Sequence, residues 1–242
     1  FFVNKLFINY SSLILIVAGL VFYAWWNIYL TPIIIISIIA NYWFSKKIIF
    51  LEEKKRKRNF LLLSILFNVI YLGAFKYSDF IILNINFLFD LQIKTLNLPF
   101  PLALSFVTFQ TIAYLVDCYD DEISNLNFRK FTLLIIFFPQ LIAGPIVKYN
   151  FMSPQFENVG NKKINSFNII LGLIIITIGF IKKVGIADNL AVIVDNGYEF
   201  SESLNFLGAW LVSLSFTFQL YFDFGGYIDM ATGAALLLNI RI

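Results

Sequence analysis

The sequence predicts an all-α membrane protein, a polytopic bundle of transmembrane helices that includes re-entrant or broken helices. Three observations carry that reading. Apolar residues make up 60% of the 242 positions and charged residues only 14%, with a mean hydropathy of +0.80. Soluble domains average about 45–50% apolar and roughly 25% charged. Several apolar runs approach the ~20 residues that a helix needs to cross a bilayer. Finally, KKIIFLEEKKRKR, from Lys46 to Arg58, sets seven basic residues against Glu52 and Glu53 and marks a cytoplasmic loop by the positive-inside rule. The net charge of +3 is small and local, so no nucleic-acid partner is implied. Histidine is absent from the sequence, which removes the commonest general base and metal ligand. Neither a metal site nor a bound cofactor is expected. The single Cys118 cannot form an internal disulfide.

In chain order, the first span is expected at Leu13–Trp26, with Tyr23, Trp25 and Trp26 as an interfacial aromatic belt. A turn at Thr31-Pro32 leads into Ile33–Phe44, and Asn59–Phe75 returns after the basic loop. Tyr77–Lys94 is only moderately apolar and carries Asp79, Asn84, Asn86 and Asp90, a pattern that suits an amphipathic interfacial helix. Pro99 and Pro101 introduce a helix over Leu102–Val116, followed by a polar loop from Asp117 to Lys130. Phe131–Val147 is apolar but interrupted by Pro139, Gln140, Gly144 and Pro145, and Lys148–Asn168 reads as a loop. Ile169–Ile181 is apolar, Ile186–Val194 reads as a short helix or re-entrant piece, and a last apolar block runs from Phe206 to Ile240. As one helix that block would measure roughly 50 Å, against a hydrocarbon core of about 30 Å. A break at Gly225-Gly226 is therefore expected, where glycine frees the backbone. With no internal repeat or linker, residues 1–242 read as a single membrane domain.

Four stretches carry polar groups into apolar surroundings. In FFPQLIAGPI, Phe137–Ile146, two prolines each remove a backbone donor. Irregular backbone at membrane depth survives where it is buried in protein or lines a wet cavity, so this stretch is either a packed kink or a cavity wall with Gln140 reaching inward. Lys182 and Lys183 end an apolar run; the simpler reading is snorkelling anchors, the functional one a basic mouth that attracts a phosphorylated or coenzyme A-linked donor. Asp188 reads as a cap for the next turn. Between Pro99 and Tyr119, Thr108, Thr111 and Leu115 share one helical face and Gln110 and Tyr114 another, which favours interhelical hydrogen bonding. Cys118, with no basic or histidine neighbour, lacks what makes a thiol reactive. In FQLYFDFGGYIDMATG, Gly226, Asp229 and Gly233 follow an i, i+3, i+7 spacing, which makes a flat face for a neighbouring helix and turns Asp229 to the interior. Asp223 marks either a membrane boundary or, with Asp229, a functional pair.

Together LSFVTFQTIAYLVDCY, FFPQLIAGPIVKYNFMSPQF, GFIKKVGIADNLA and FTFQLYFDFGGYIDMATG occur in the order found in membrane-bound O-acyltransferases. The chain resembles the alginate O-acetylation and peptidoglycan O-acetyltransferase branch, over most of its length. The resemblance implies tilted helices around a funnel and transfer of an acyl group from a cytoplasmic donor to a hydroxyl on the outer side. Gln140, Gly144 and Pro145 match the family's proline-kinked motif; Gln219, Tyr221, Asp223, Tyr227 and Asp229 match its second polar motif, and these residues are expected to line the substrate path. Gly225 stands where relatives commonly have serine.

The family's catalytic histidine is expected downstream of FDFGGYIDM, beyond Ile242, so that no residue present is assigned the role of base. Because the chain begins at Phe1 and stops at Ile242 beside an apolar run, it reads as a fragment, and this stretch alone is expected to be inactive. The implied setting is multi-pass in a bacterial inner membrane, in contact with lipid. The donor is expected to be acetyl-CoA or an acyl carrier, and the partner a periplasmic acetyltransferase protein. D-Alanyl transfer to teichoic acid is the alternative within the family. A transporter or flippase is the alternative outside it, though the related halves typical of one are not seen.

Overall fold

The computed structural model describes residues 11–142, 144–157 and 163–242, which form helices and their connections with no strand among the described residues. The helices are α1 (Ser11–Trp26), α2 (Thr31–Phe50), α3 (Lys54–Phe89), α4 (Leu104–Tyr119), α5 (Phe128–Ile136), α6 (Tyr149–Glu157), α7 (Ser166–Phe180), α8 (Asp188–Glu199) and α9 (Phe206–Leu237), with a π-helical segment, Ile181–Ala187, joining α7 to α8. Three stretches among the described residues are long and apolar enough to cross a membrane: Ile28–Phe50, Lys54–Phe89 and Ser166–Glu199. The chain divides into two compact units, one holding α1–α6 and the other Gly144 and Pro145 with α7–α9.

In the unit holding α1–α6, asparagine opens helices from outside and ties them together from inside. Asn27 and Asn127 each accept backbone N–H bonds at a helix start, ahead of the short 3₁₀ turn Ile28–Leu30 and of α5. α2 and α3 meet through a buried reciprocal amide pair: Asn41 Nδ2 donates to Asn68 Oδ1 at 3.2 Å and Asn68 Nδ2 to Asn41 Oδ1 at 2.6 Å. The same two amides also donate to the carbonyls of Ser37 and Ser64, one turn back on their own helices. With apolar lipid tails outside, such hydrogen bonds are a main source of helix-to-helix specificity. α5 is the centre of this unit; Phe131, Leu133, Leu134, Ile135 and Ile136 are all buried. α1 crosses it at Gly19, where a Cβ would collide with the carbonyl of Ile136.

Several sequence expectations are corrected here. Tyr23 is buried and does not join the belt, although Trp25 and Trp26 are exposed. The predicted span and interfacial helix after the basic loop are one helix, α3, of 36 residues, about 54 Å long. The polar residues of its second half serve the returning chain instead of a membrane surface. Asn86 brackets Ile93, donating to its carbonyl at 2.8 Å and accepting its N–H at 2.9 Å, while Asp79 accepts the N–H groups of Leu96 and Asn97. The helix stops at Asp90, whose φ of 52° is left-handed. The expected loop after Lys148 begins with α6, because Tyr149, Met152 and Phe156 form a buried i, i+3, i+7 face. The rest of that expected loop includes residues 158–162, which lie outside the described residues.

In the other unit, the two expected pieces at Ile169–Ile181 and Ile186–Val194 form one continuous helical path. α9 runs unbroken for 32 residues through Gly225-Gly226. A helix longer than the core tilts or protrudes, and Gly226 is used for close approach instead of a break.

The amide pair gives the first prediction. Asn68→Leu leaves the Asn41 amide buried without its partner and is expected to destabilise the protein by about 1–2 kcal/mol. The double variant N41L/N68L recovers part of that loss. Thermal unfolding in detergent of wild type and the three variants measures both effects.

Candidate functional site

The α7–α9 unit contains the polar motif at its closest helix contact. At Gly172 a Cβ would lie 2.8 Å from the Gly233 carbonyl oxygen, and at Gly233 it would lie 2.5 Å from that of Gly172. One heptad along, Gly179 and Gly226 repeat the arrangement at 2.5 and 2.7 Å. Pairs spaced by seven in opposite chain directions define an antiparallel crossing in which backbone meets backbone. Only glycine permits this approach, which weak Cα–H···O contacts also favour. Gly197 of α8 likewise leaves no room for a Cβ, being filled by the Val212 side chain of α9.

Directly after Gly179 the helix widens into the π-helical segment, with the Asp188 N–H donating to the Lys183 carbonyl. π-turns inside α-helices are often found at functional sites. This one presents two successive lysines to α9. Lys182 Nζ donates to Asp229 Oδ2 at 2.6 Å. Lys183 Nζ donates to Asp188 Oδ1 at 2.7 Å and lies 2.8 Å from Asp223 Oδ1. The result is a ladder of two ammonium groups and three carboxylates, in which Lys182, Lys183, Asp223 and Asp229 are half-buried and Asp188 is exposed. Lys182 and Lys183, read from the sequence as snorkelling anchors or as a basic mouth, are both tied to carboxylates. Asp188 is likewise bound to Lys183 and does not cap the helix start, where Ala187 is the boundary residue.

A cleft of about 530 Å³ opens beside the ladder, lined by Lys182, Thr217, Tyr221, Phe224, Gly225 and their apolar neighbours. Of the expected path residues, Tyr221 and Asp223 thus take places at the cleft and the ladder, and Asp229 is the partner of Lys182. Gln219 and Tyr227 are half-buried on α9, and the Gln219 Oε1 atom has no hydrogen-bond partner. Gly144 is buried and Pro145 half-buried. In the α1–α6 unit, Gln140 is fully buried, and its Nε2 donates to the Leu134 carbonyl at 2.8 Å. It closes the last turn of α5, whose terminal carbonyls would otherwise be orphaned.

Sequence reasoning grouped Gln110 with interhelical hydrogen bonding but did not find its partner. Gln110 Nε2 donates to the Val147 carbonyl at 2.6 Å and its Oε1 accepts the Val147 N–H at 3.2 Å. The side-chain amide replaces a missing backbone neighbour for the irregular chain after Pro145. A cleft of about 270 Å³ lies there, bordered by Gln110, Tyr114, Asp117, Val147 and Tyr149. Cys118 is buried in α4. Among the described residues, no group of three or more Cys, Asp or Glu side chains is placed to hold a metal ion.

Residues 8–242 match the model of the membrane-bound O-acyltransferase family. The chain belongs to that family. Among relatives, it is 42% identical to the peptidoglycan O-acetyltransferase of Helicobacter pylori, over 96% of this chain and 49% of the relative. It is 34% identical to the probable alginate O-acetylase of Pseudomonas syringae pv. tomato, over 96% of this chain and 45% of that protein. Similarity to the teichoic acid D-alanyltransferase of Bacillus subtilis is weaker, 26% over 60% of this chain and 37% of the relative. The chain spans about half the length of the curated relatives that match nearly all of it. In this family member the Gly179–Gly226 contact and the charge ladder fall inside two of the four motifs that carried the resemblance, while Gly172 lies just before one of them.

The crossing predicts opposite outcomes for adjacent glycines. A Cβ on Gly225 meets nothing within 4 Å, whereas on Gly226 it would lie 2.7 Å from the Gly179 carbonyl oxygen. Gly225→Ser is expected to leave the unfolding midpoint unchanged. Gly226→Ala is expected to destabilise by about 1–3 kcal/mol through forced separation of α7 and α9. Thermal unfolding of the two purified variants, side by side, checks the contrast.

Proposed function

We propose that the protein is a membrane O-acyltransferase that acetylates hydroxyl groups of a cell-envelope polysaccharide, peptidoglycan in the first instance. The observation that carries this reading is the 42% identity to a peptidoglycan O-acetyltransferase across 96% of this chain. The donor is acetyl-CoA or an acyl carrier on the cytoplasmic side of a bacterial inner membrane, and a periplasmic acetyltransferase receives or places the acyl group. The weaker and shorter similarity to teichoic acid D-alanyltransferases makes D-alanyl transfer the second reading.

The chemistry of the residues fits a binding and positioning role. None of the 242 residues is a histidine, and both lysines at the ladder already bind carboxylates. These side chains therefore hold geometry and field instead of accepting a proton from the attacking hydroxyl. Lys182 supplies the one cationic group lining the cleft on α9, offset by Asp229 at 2.6 Å. A neutral, preorganised pair of this kind lines a path through low dielectric at less cost than an isolated charge. Tyr221 and Thr217 add hydroxyls on the same wall, where they orient a polar group passing between apolar surfaces.

The test uses membrane vesicles from cells that express the full-length gene, supplied with a labelled acetyl donor and the envelope polymer. Base-labile labelled acetate on peptidoglycan is the expected result. D-Alanyl ester on teichoic acid would transfer the assignment to the second reading, and lipid movement without acyl exchange would end both. In the same vesicles Asp229→Asn, which strands the Lys182 cation beside the cleft, is expected to lower acetyl transfer at least tenfold at equal protein level. The count of esterified acetate per milligram of membrane protein reads this directly.

A further inference from the structure

The basic loop does more in the folded chain than mark topology. Of its seven basic residues, Arg56 is bound by Glu53 at 2.6 Å, and Lys57 is buried against Asp121. That leaves Lys46, Lys47, Lys54, Lys55 and Arg58 exposed, with Glu52 and Asp120 as the nearby carboxylates outside those two ion pairs. The positive surplus is not spread evenly. A cleft of about 600 Å³ between the loop and the end of α4 is lined by Glu52, Asp120 and Asp121 as well as Lys54 and Lys57, so carboxylates outnumber cations and an anion is disfavoured there. Lys46, Lys47, Lys55 and Arg58 do not line that cleft, and Lys46 and Lys47 lie close to the end of α2.

That end of α2 has the build of a lipid contact. On α2, Ile36, Ile39, Trp43 and Phe50 are exposed in one stripe, and Lys47, at i+4 from Trp43, stands over its ring at 5.8 Å. Lys46 stands over Tyr42 at 5.1 Å. The Trp43 ring also reaches Phe60 of α3, with ring centroids 6.4 Å apart, while Leu62, Leu63 and Leu66 continue exposed along α3. An apolar track at membrane depth thus leads to an interfacial tryptophan and ends under unpaired ammonium groups. Aromatic residues favour the headgroup level, and clustered Lys and Arg beside a spanning helix attract anionic lipid.

We propose that this corner binds the phosphate of an anionic phospholipid, with the headgroup at Lys46 and Lys47 and an acyl chain along Trp43 and Phe60. Charge complementarity selects the occupant: the track fits any acyl chain, but only a net-negative headgroup gains from the surplus cations. The inference is independent of the acyl-transfer reading, since it concerns a lipid-facing surface on the other compact unit.

The test places the full chain, with Trp25, Trp26 and Trp210 replaced by Phe, in bilayers containing brominated lipid, so that quenching reports on Trp43 alone. Brominated phosphatidylglycerol is expected to quench Trp43 several-fold more effectively than brominated phosphatidylcholine at equal mole fraction, with the difference fading at high salt. Removing a cation near such a surface weakens the preference by roughly fivefold. K46Q/K47Q should therefore abolish it and K46R/K47R retain it. Equal quenching by the two lipids overturns the proposal, as does a preference that survives in K46Q/K47Q. Loss of the preference on adding millimolar glycerol 3-phosphate would assign the site to a soluble anion and overturn the lipid assignment.

Discussion

Where Gly179 faces Gly226, the backbone oxygen of each helix lies where a Cβ on the other would have to go. This closeness controls the distance at which every later side chain of α7 and α9 must meet. With the axes this near, a lysine one turn beyond the contact reaches a carboxylate on the partner helix directly. Lys182 and Asp229 close to 2.6 Å for that reason. The π-helical segment completes the device, because its extra width turns Lys183 to serve Asp223 and Asp188 at once.

The α1–α6 unit solves a related problem with amides. Within lipid each backbone or side-chain polar group must find a partner inside the protein. Carboxamides are suited to this because each can donate and accept at once. Asn41 and Asn68 exchange bonds between helices, and Gln110 stands in for a strand neighbour beside Val147. Gln140 donates to the Leu134 carbonyl near the end of α5 while its own buried Oε1 has no partner among the described residues, and Asn86 holds the chain returning from α3. Irregular segments around proline can therefore remain at depth without exposing their backbone.

The two units divide charge differently. Around the α7–α9 crossing, each lysine has a carboxylate within a few ångströms, which suits an environment where an unpaired charge is expensive. At the α2–α3 corner several cations are left without carboxylate partners, which is tolerable only where water or an anionic headgroup reaches them. In the function proposed above, the ladder beside the cleft positions a passing substrate, and in the proposed lipid site the unmatched corner holds the protein against its membrane.

Composition and pattern alone determined the all-α membrane class, the basic corner and the irregular stretch around Pro139 and Pro145. These depend on residue type and near neighbours, and a bilayer enforces them strongly. The i, i+3, i+7 spacing of Gly226, Asp229 and Gly233 likewise announced a close helix contact before its partner was known. Which helix came close, and hence which carboxylate each lysine found, was decided only by tertiary structure. Lys182 and Lys183 read as anchors because their partners lie 47 and 40 residues away. The same distance hid the role of Gly226: by length α9 should have broken there, but a packed neighbour made the glycine a contact point and kept the helix whole.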